Sequence, residues 1–337
     1  MGSKTVKMLS NWLAVIIILQ PLSYSLAQEP PAAKAAGETA ASVSLSLIVT
    51  NNENHAIDVL KTEDIAVREG GITQKVLSVS PDSRPIDYTI VIDNSGSFKF
   101  LLEPAITVAK YLITNNGPVD ETSIVRFISS DKIETVQEFT ADKAQLGYGL
   151  DTLYVESGQS AVIDATYLAV QHVANYRRGS DRRRAVVILS DGEDRESYYT
   201  ADKLIDLIRA TDVQLFIIGI VAQLKSGGVN NVREKAKDLM SRLTKESGGR
   251  VFFPKDFEEL RLAAKEITHD LHRQFLIRYQ STNSSPGDSF REVEVTAREA
   301  PAETKLNVHT RKGYFLNPPE FDGKGNRKRT KPPKKSG

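Results

Sequence analysis

The sequence contains no cysteine and only five histidines among its 337 residues. Without cysteine, a disulfide framework, a zinc–thiolate site, an iron–sulfur cluster, a thiol nucleophile and a lipid anchor on an N-terminal cysteine are excluded. The histidines are scattered along the chain, at positions 55, 172, 269, 272 and 309. A multi-histidine metal site or a histidine-based catalytic triad is therefore hard to build.

The first 27 residues have the pattern of a secretory signal peptide. Lys4 and Lys7 precede a short apolar run at residues 12–19, and residues 25–27 (Ser-Leu-Ala) offer the small side chains that a signal peptidase reads. The run is shorter than the roughly 20 residues that a membrane-spanning helix needs. We therefore expect cleavage after residue 27 rather than an uncleaved anchor, and export of the mature chain to the periplasm or to the outside.

The formal net charge of +1 is unevenly distributed. Residues 1–27 carry +2 and residues 323–337 carry +7, so the part between them carries −8. A tail this basic cannot build a core, and we predict that residues 317–337 are disordered. This tail could bind an anionic envelope surface. No nucleic-acid partner is expected, because an exported protein rarely meets one.

Residues 83–273 alternate strands with helices. The apolar runs at Ala185–Leu189 and Val213–Ile220 lack polar alternation, so both are predicted to be strands buried on two faces. Segments with one apolar face, such as residues 101–113 and 161–176, are predicted to be helices. This pattern predicts an α/β domain with a Rossmann-like, doubly wound and mostly parallel sheet.

Two shorter strand-rich segments flank this α/β domain. Residues 42–82 contain an alternating strand and two further strands around a Gly-Gly turn, and residues 274–316 contain three more strands. Each segment is too small to hold a core of its own. We therefore expect the two segments to pair into one small β-sandwich. A Pro- and Ala-rich linker, residues 28–41, precedes the first of them.

Oxygen-bearing side chains follow two of the predicted strands. Asp93-Asn-Ser95-Gly-Ser97 comes directly after the first strand of the α/β domain, and Ser190-Asp191-Gly ends a later buried strand. Because the carboxyl ends of parallel strands lie at one edge of a sheet, the two loops can converge there. Carboxylates and hydroxyls without histidine or cysteine suit a hard cation such as Mg²⁺ or Mn²⁺.

This arrangement resembles the metal-ion-dependent adhesion site of von Willebrand factor type A domains. That family adds a threonine from a third loop, and the matching position here is Ser160. The resemblance implies that Ser95, Ser97 and Ser160 bind the metal by their hydroxyls. Asp93 and Asp191 would act directly or through water. Mg²⁺ or Mn²⁺ is implied ahead of Ca²⁺, with one position left for a carboxylate of a protein partner.

The resemblance covers about residues 42–316, and it is closer to one group of proteins within the family. The motifs that carry it are Asp64-Ile-Ala-Val-Arg-Glu-Gly-Gly, Leu189-Ser-Asp-Gly-Glu-Asp, Ser247-Gly-Gly-Arg and Arg311-Lys-Gly-Tyr. Together with the site they are similar to the exported "VWFA-related" proteins of Acidobacteria. One departure from the family concerns Ser160, because serine lacks the methyl group that restricts the rotamer of threonine. The metal affinity could be lower as a result.

Three classes of function follow, in descending order. The resemblance implies a metal-dependent module that binds a protein partner, in adhesion or in assembly of an envelope complex. The alternative is a structural scaffold with a weakened metal site. A metal-dependent hydrolase ranks last, since the carboxylates that could act as a base, Asp93 and Asp191, would be occupied by the cation. The sequence shows no nucleophile–histidine pair and no phosphate-binding loop, so we expect no enzymatic activity.

Overall fold

The computed structural model of the protein describes residues 42–176, 181–225, 231–299 and 304–328. The predicted signal peptide and the predicted linker, residues 1–41, lie outside these ranges. The described residues all belong to one compact unit, Ala40–Gly337. Within the described ranges, no helix has both the length and the apolar character needed to cross a membrane.

The described residues form two β-sheets and six α-helices. The strands are β1 (Ser42–Thr50), β2 (Ile65–Glu69), β3 (Ile72–Pro81), β4 (Ile86–Asp93), β5 (Glu121–Ser129), β6 (Lys132–Thr140), β7 (Arg183–Ser190), β8 (Val213–Gly219), β9 (Val251–Phe252), β10 (Phe275–Gln280), β11 (Arg291–Glu299), β12 (Thr304–His309) and β13 (Gly313–Tyr314). The helices are α1 (Leu102–Thr114), α2 (Lys143–Asp151), α3 (Val162–Asn175), α4 (Ala201–Ala210), α5 (Val232–Ser247) and α6 (Phe257–His272).

The α/β domain is built on a sheet with the strand order β6-β5-β4-β7-β8-β9. All neighbours are parallel except β6, which pairs antiparallel with β5 at one edge. Every residue of β4, β5 and β8 is buried, because helices cover both faces of the sheet. Helices α1, α2 and α6 pack on one face, and α3, α4 and α5 pack on the other. The predicted doubly wound, mostly parallel sheet is confirmed.

The strands of the two flanking segments form a single antiparallel sheet. Its pairings run β12-β1-β10-β3-β2-β11, and β11 also pairs with β12. The pairing of β1 with β12 joins residues 48–50 to residues 307–309, so the sheet closes on itself, and β13 is added beside β11. The expected pairing of the two flanks is confirmed. The predicted β-sandwich is wrong, because the six strands form one closed antiparallel barrel.

The closed sheet has a single core on its inner side. Residues alternate between buried and exposed along β2 and β11, and the buried set meets at residues such as Leu45, Val67, Ile277, Tyr279 and Val295. A strand with one apolar face can bury that face against a second sheet or inside a closed one. Closure also pairs both sheet edges, which would otherwise expose unpaired backbone groups. The alternating pattern therefore does not separate a sandwich from a closed sheet.

Two short connections join the closed sheet to the α/β domain, and they run side by side. Residues 82–85 connect β3 to β4, and residues 273–274 connect α6 to β10. The Asp82 backbone N–H donates to the carbonyl of Gln274 at 2.7 Å. The buried Asp82 carboxylate accepts hydrogen bonds from Arg84 Nε at 2.8 Å and from Ser46 Oγ at 2.7 Å. Both connections to the α/β domain are thus held together at one corner of the closed sheet.

Part of the basic tail contacts the α/β domain. Arg327 pairs with Asp206 of α4 at 2.8 Å, and Phe321 packs against the core beneath α3, α4 and α5. The Lys203 ammonium donates to the carbonyl of Lys324 at 2.7 Å. Within the predicted disordered tail, residues 321–327 thus contact the α/β domain through the apolar side chain of Phe321 and through Arg327, whose charge Asp206 neutralises. Residues 329–337 lie outside the described residues.

Replacing Ile277 tests the inner face of the closed sheet. Ile277→Ala is expected to lower the free energy of unfolding by about 2–5 kcal/mol, because Ile277 has no solvent exposure and truncation leaves a cavity. Leu77→Ala on β3 is the matched control, since Leu77 is 47% exposed, and its effect should stay within about 0.5 kcal/mol. Urea unfolding measures both changes. Equal losses of stability in the two variants would contradict the assignment of Ile277 to the inner face and of Leu77 to the outer face of the closed sheet.

Candidate metal centre

The candidate site begins at the carboxyl end of β4. Asp93, the last residue of this strand, is fully buried. Its Oδ1 accepts a hydrogen bond from the Ser95 backbone N–H at 2.9 Å, which folds the loop back over the end of the strand. The hydroxyls of Ser95 and Ser97 then lie 3.1 Å apart. Ser95 is buried and Ser97 is exposed, so the cluster reaches solvent at Ser97.

The second loop follows β7, the parallel neighbour of β4. The Ser190 hydroxyl donates to Asp93 Oδ2 at 2.7 Å. Asp191 is buried, and its Oδ1 accepts the backbone N–H of Glu193 at 2.9 Å. This tight turn needs a backbone φ of +75° at Gly192, a conformation that favours glycine. The turn holds the Asp191 carboxylate close enough to Asp93 for the two charges to interact.

The third loop contributes Ser160, two residues before α3 begins. Its hydroxyl donates to Asp93 Oδ2 at 3.3 Å, and its carbonyl accepts the backbone N–H of Arg195 at 2.9 Å. The loop passes so close to β5 that a Cβ on Gly158 would lie 2.5 Å from Ile128 Cγ2. The structure therefore brings all the predicted site residues into one cluster: Asp93, Ser95, Ser97, Ser160 and Asp191.

The two carboxylates of the cluster are electrostatically strained. Burial raises the pKa of Asp93 to about 6, and the charge of Asp191 acts in the same direction, against the hydrogen bonds from Ser95 and Ser190. Burial also raises the pKa of Asp191, against the backbone N–H of Glu193 and the hydroxyl of Ser97. Two buried carboxylates this close repel one another when both are ionised. A divalent cation bound to both would remove that repulsion.

The donor set fits a hard divalent cation in chemistry and in spacing. The cluster offers two carboxylates and three hydroxyls, which are the oxygen ligands that Mg²⁺ and Mn²⁺ prefer. At a metal–oxygen distance of about 2.1 Å, neighbouring ligands of an octahedron lie about 3 Å apart. The separation of 3.1 Å between the Ser95 and Ser97 hydroxyls agrees with that edge. In the described part of the chain, no group of three or more histidines or carboxylates is placed to hold a metal.

Two residues outside the predicted set support the cluster. Ser190 binds Asp93 directly, as described above. Asp164 in the first turn of α3 is buried, and it accepts the backbone N–H groups of Tyr198 at 2.7 Å and Tyr199 at 2.8 Å. It also accepts the hydroxyl of Ser130, in the turn between β5 and β6. Asp164 thus ties the loop after β7 to α3 and to β5, through partners that no local sequence pattern indicates.

The loop after β7 also caps helix α3. The residue before this helix is Ala161, whose side chain cannot accept a hydrogen bond. Asp194 Oδ1 instead accepts the backbone N–H of Ile163 at 3.1 Å, and Ser197 Oγ accepts the N–H of Asp164 at 3.1 Å. The start of α3, and with it Ser160, is therefore held by the same loop that carries Asp191.

Fold and site together define a class of protein: a doubly wound α/β domain with a cluster of carboxylates and hydroxyls at its carboxyl strand ends. The family model described as the von Willebrand factor type A domain matches residues 87–266, which is more than half of the sequence. The chain belongs to the von Willebrand factor type A domain family. Domains of this family often mediate protein–protein interaction or adhesion and are usually not enzymes. The narrower likeness to the proteins of Acidobacteria stays a prediction.

Solved structures resemble the chain at low sequence identity. A von Willebrand factor type A protein from Catenulispora acidiphila is 12% identical over 80% of this chain and 72% of its own, with a TM-score of 0.47. An aerotolerance-related membrane protein from Bacteroides fragilis is 17% identical over 54% of this chain and 98% of its own, with a TM-score of 0.42. The pilus adhesin SpaC from Lactobacillus rhamnosus GG is 10% identical over 80% of this chain and 49% of its own, with a TM-score of 0.45. At these identities and TM-scores, the solved structures support no conclusion about the ligands or partners of this chain.

Substitution of Asp164 tests, in the absence of metal, whether this residue stabilises the loops of the candidate metal centre. In Asp164→Asn, either orientation of the amide turns its NH₂ group toward one of two backbone N–H donors, so we expect a loss of about 2–3 kcal/mol in the free energy of unfolding. Asp202→Asn is the matched control, because the Asp202 side chain is 90% exposed. Urea unfolding in the presence of a chelator measures both. Unchanged stability of Asp164→Asn would contradict the role assigned to this carboxylate.

Proposed function

We propose that this chain is an exported, non-catalytic binding protein with a metal-ion-dependent adhesion site. The ligands of Mg²⁺ or Mn²⁺ are Asp93, Ser95, Ser97, Ser160 and Asp191. The observation that carries the proposal is the meeting of two buried carboxylates and three hydroxyls from three separate loops. The position of Ser97 at the surface supports access to a partner from outside.

Through the cation, the protein binds an Asp or Glu carboxylate of a protein partner. Asp93 and Asp191 balance the charge of a divalent ion, so the loaded site accepts a further carboxylate without a net excess of negative charge. The cation supplies the attraction that the protein itself lacks, since the body between the leader and the tail carries −8. Adhesion, or assembly of an envelope complex, is the role that this chemistry serves.

Export rests on the signal-peptide pattern of residues 1–27. An anionic envelope surface is a second contact, made by the basic tail. Within that tail, Arg327 is paired with Asp206 and Lys328 with Glu320. The contact therefore depends on the exposed Lys324 and on the four basic residues of positions 329–337.

Asp93→Ala tests the metal site. The wild-type protein is expected to bind Mg²⁺ and Mn²⁺ in a calorimetric titration, and the variant is expected to lose this binding because a carboxylate at the centre of the cluster is gone. Asp151→Ala is the matched control: Asp151 is an exposed aspartate on α2 that pairs with Lys110, away from the cluster. Retention of metal binding by Asp93→Ala would refute the assigned ligand set.

The same proteins test the partner chemistry. A peptide carrying an exposed Asp should bind the wild-type protein only with Mg²⁺ or Mn²⁺ present, and its Asn counterpart should not bind. Fluorescence anisotropy of the labelled peptides measures both interactions. Equal binding of the two peptides, or binding that a chelator leaves intact, would contradict recognition through a metal-bound carboxylate.

Substitutions of Ser160 separate the binding module from a scaffold with a weakened site. Ser160→Thr keeps the hydroxyl and restricts its rotamer, so the affinity for Mg²⁺ should rise a few-fold. Ser160→Ala removes a ligand and should lower the affinity about tenfold. Calorimetry on the two variants and the wild type measures the order of affinities. Absence of binding in both wild type and Ser160→Thr, with the acidic peptide present, would favour the scaffold.

A further inference from the structure

A second polar site lies at the opposite end of the α/β sheet from the candidate metal centre. A cavity of about 100 Å³ opens at the amino ends of β7 and β8, whereas the metal centre is at the carboxyl ends. One wall is formed by β1 of the closed sheet, through Ser44 and Ser46, and by Arg311 near β13. The cavity therefore lies at the junction between the closed sheet and the α/β domain.

The lining of this cavity is strongly basic. Four of its residues are arginines, and its only carboxylate is Asp212; the arginines are Arg84, Arg183, Arg184 and Arg311. Arg84 is satisfied by Asp82, which accepts from its Nε at 2.8 Å and from its Nη2 at 2.7 Å. Arg184 Nη1 donates to the two oxygens of Asp212 at 3.2 and 3.3 Å. Asp212 of the lining and the neighbouring Asp82 are thus already engaged with Arg184 and Arg84.

The remaining two arginines lack an anionic partner at hydrogen-bond distance. The Arg183 side chain is only 5% exposed, and its distance to Asp82 Oδ1 is 3.9 Å. Its Nε and Nη2 share the carbonyl of Arg84 at 3.1 Å, and its buried Nη1 has no acceptor. Arg311 is half-buried, its side chain makes no hydrogen bond to the described residues, and its guanidinium lies 5.6 Å from the ring centre of Tyr314.

Leaving buried guanidinium donors without acceptors is costly. Burial lowers the pKa of Arg183 against the opposing charge of Asp82, and the charge of Arg84 lowers it further. Burial also lowers the pKa of Arg311, against the charge of Asp212. Arg184 Nε is a further buried donor without an acceptor. An anion in the cavity would give these donors acceptors and would offset the mutual repulsion of the arginines.

We propose that this cavity binds a small oxyanion, which joins the closed sheet to the α/β domain. Phosphate, sulfate or the carboxylate of a small organic acid has the planar pairs of oxygens that the fork of arginine recognises. Ser44, Ser46, Gln214 and Ser247 also line the cavity; the Ser46 hydroxyl donates to Asp82 and the Ser247 hydroxyl donates to the carbonyl of Thr244. The oxyanion links Arg311 of the closed-sheet side to Arg183 and Arg184 of β7.

The test is a titration of the purified protein with sodium phosphate, sulfate and acetate in a chloride buffer that contains a chelator. Calorimetry should show binding at a single site, and the bound ion should raise the melting temperature, because it binds the folded state alone. Phosphate and sulfate binding without acetate binding assigns a tetrahedral ion, and acetate binding assigns a carboxylate. Failure of all three ions to bind would overturn the proposal.

Three variants locate the site. Arg311→Gln should weaken binding at least about tenfold, because a charge-assisted donor is lost. Arg182→Gln is the matched control: Arg182 neighbours Arg183 in sequence but pairs with Asp87 and does not line the cavity. Asp93→Ala should keep oxyanion binding, since it alters the opposite end of the sheet. Equal weakening by Arg311→Gln and Arg182→Gln would overturn the proposed location.

A carboxylate built into the cavity provides a test that does not depend on losing an arginine. Ser44→Asp places an anion in the lining, so it should abolish phosphate and sulfate binding and raise the melting temperature in their absence. Ser42→Asp, on the same face of β1 but outside the cavity lining, is the matched control and should do neither. Undiminished oxyanion binding by Ser44→Asp would contradict the site.

Discussion

The parallel pairing of β4 with β7 is the constraint on which the candidate site depends. It sets Ile92 beside Leu189, so that Asp93 and Ser190 follow at neighbouring positions and bind each other at 2.7 Å. A buried carboxylate is costly unless donors surround it, and Asp93 has donors from all three loops. The strand pairing therefore brings together the buried carboxylate and the surrounding oxygen atoms that a cation would need.

Strand β7 connects two polar sites of opposite charge. It begins at Arg183 in the basic cavity and leads at its other end into Asp191, over a length of roughly 25 Å for its eight residues. The closed sheet is attached at the basic end, where Asp82 bonds to Arg84 and Ser46. The candidate metal centre lies at the opposite end of the domain, where Ser97 is exposed. The closed sheet and the candidate metal centre thus lie at opposite ends of the domain.

Several features of the structure are not evident from any local sequence pattern. Helix α2 is one, since it buries little beyond Leu146 and Leu150 and contains two glycines, which hides its helical period. The ordered part of the tail is another, because its anchor, Phe321, finds its pocket only on the folded α/β domain. The same holds for Asp164, whose role as a clamp depends on backbone groups more than thirty residues away.

The sequence by itself determined the alternation of buried strands and amphipathic helices, because this alternation follows from short hydrophobic periods. It also indicated the loop Asp93–Ser97 and the later Asp191, because these are oxygen-bearing residues at predicted strand ends, which suit a hard cation. Tertiary structure decided the rest. Closure of the flanking strands depends on whether β1 meets β12, which is a matter of twist and edge pairing over the whole sheet. The basic cavity exists only because folding places Arg311 opposite Arg183, although 128 residues separate them in the chain.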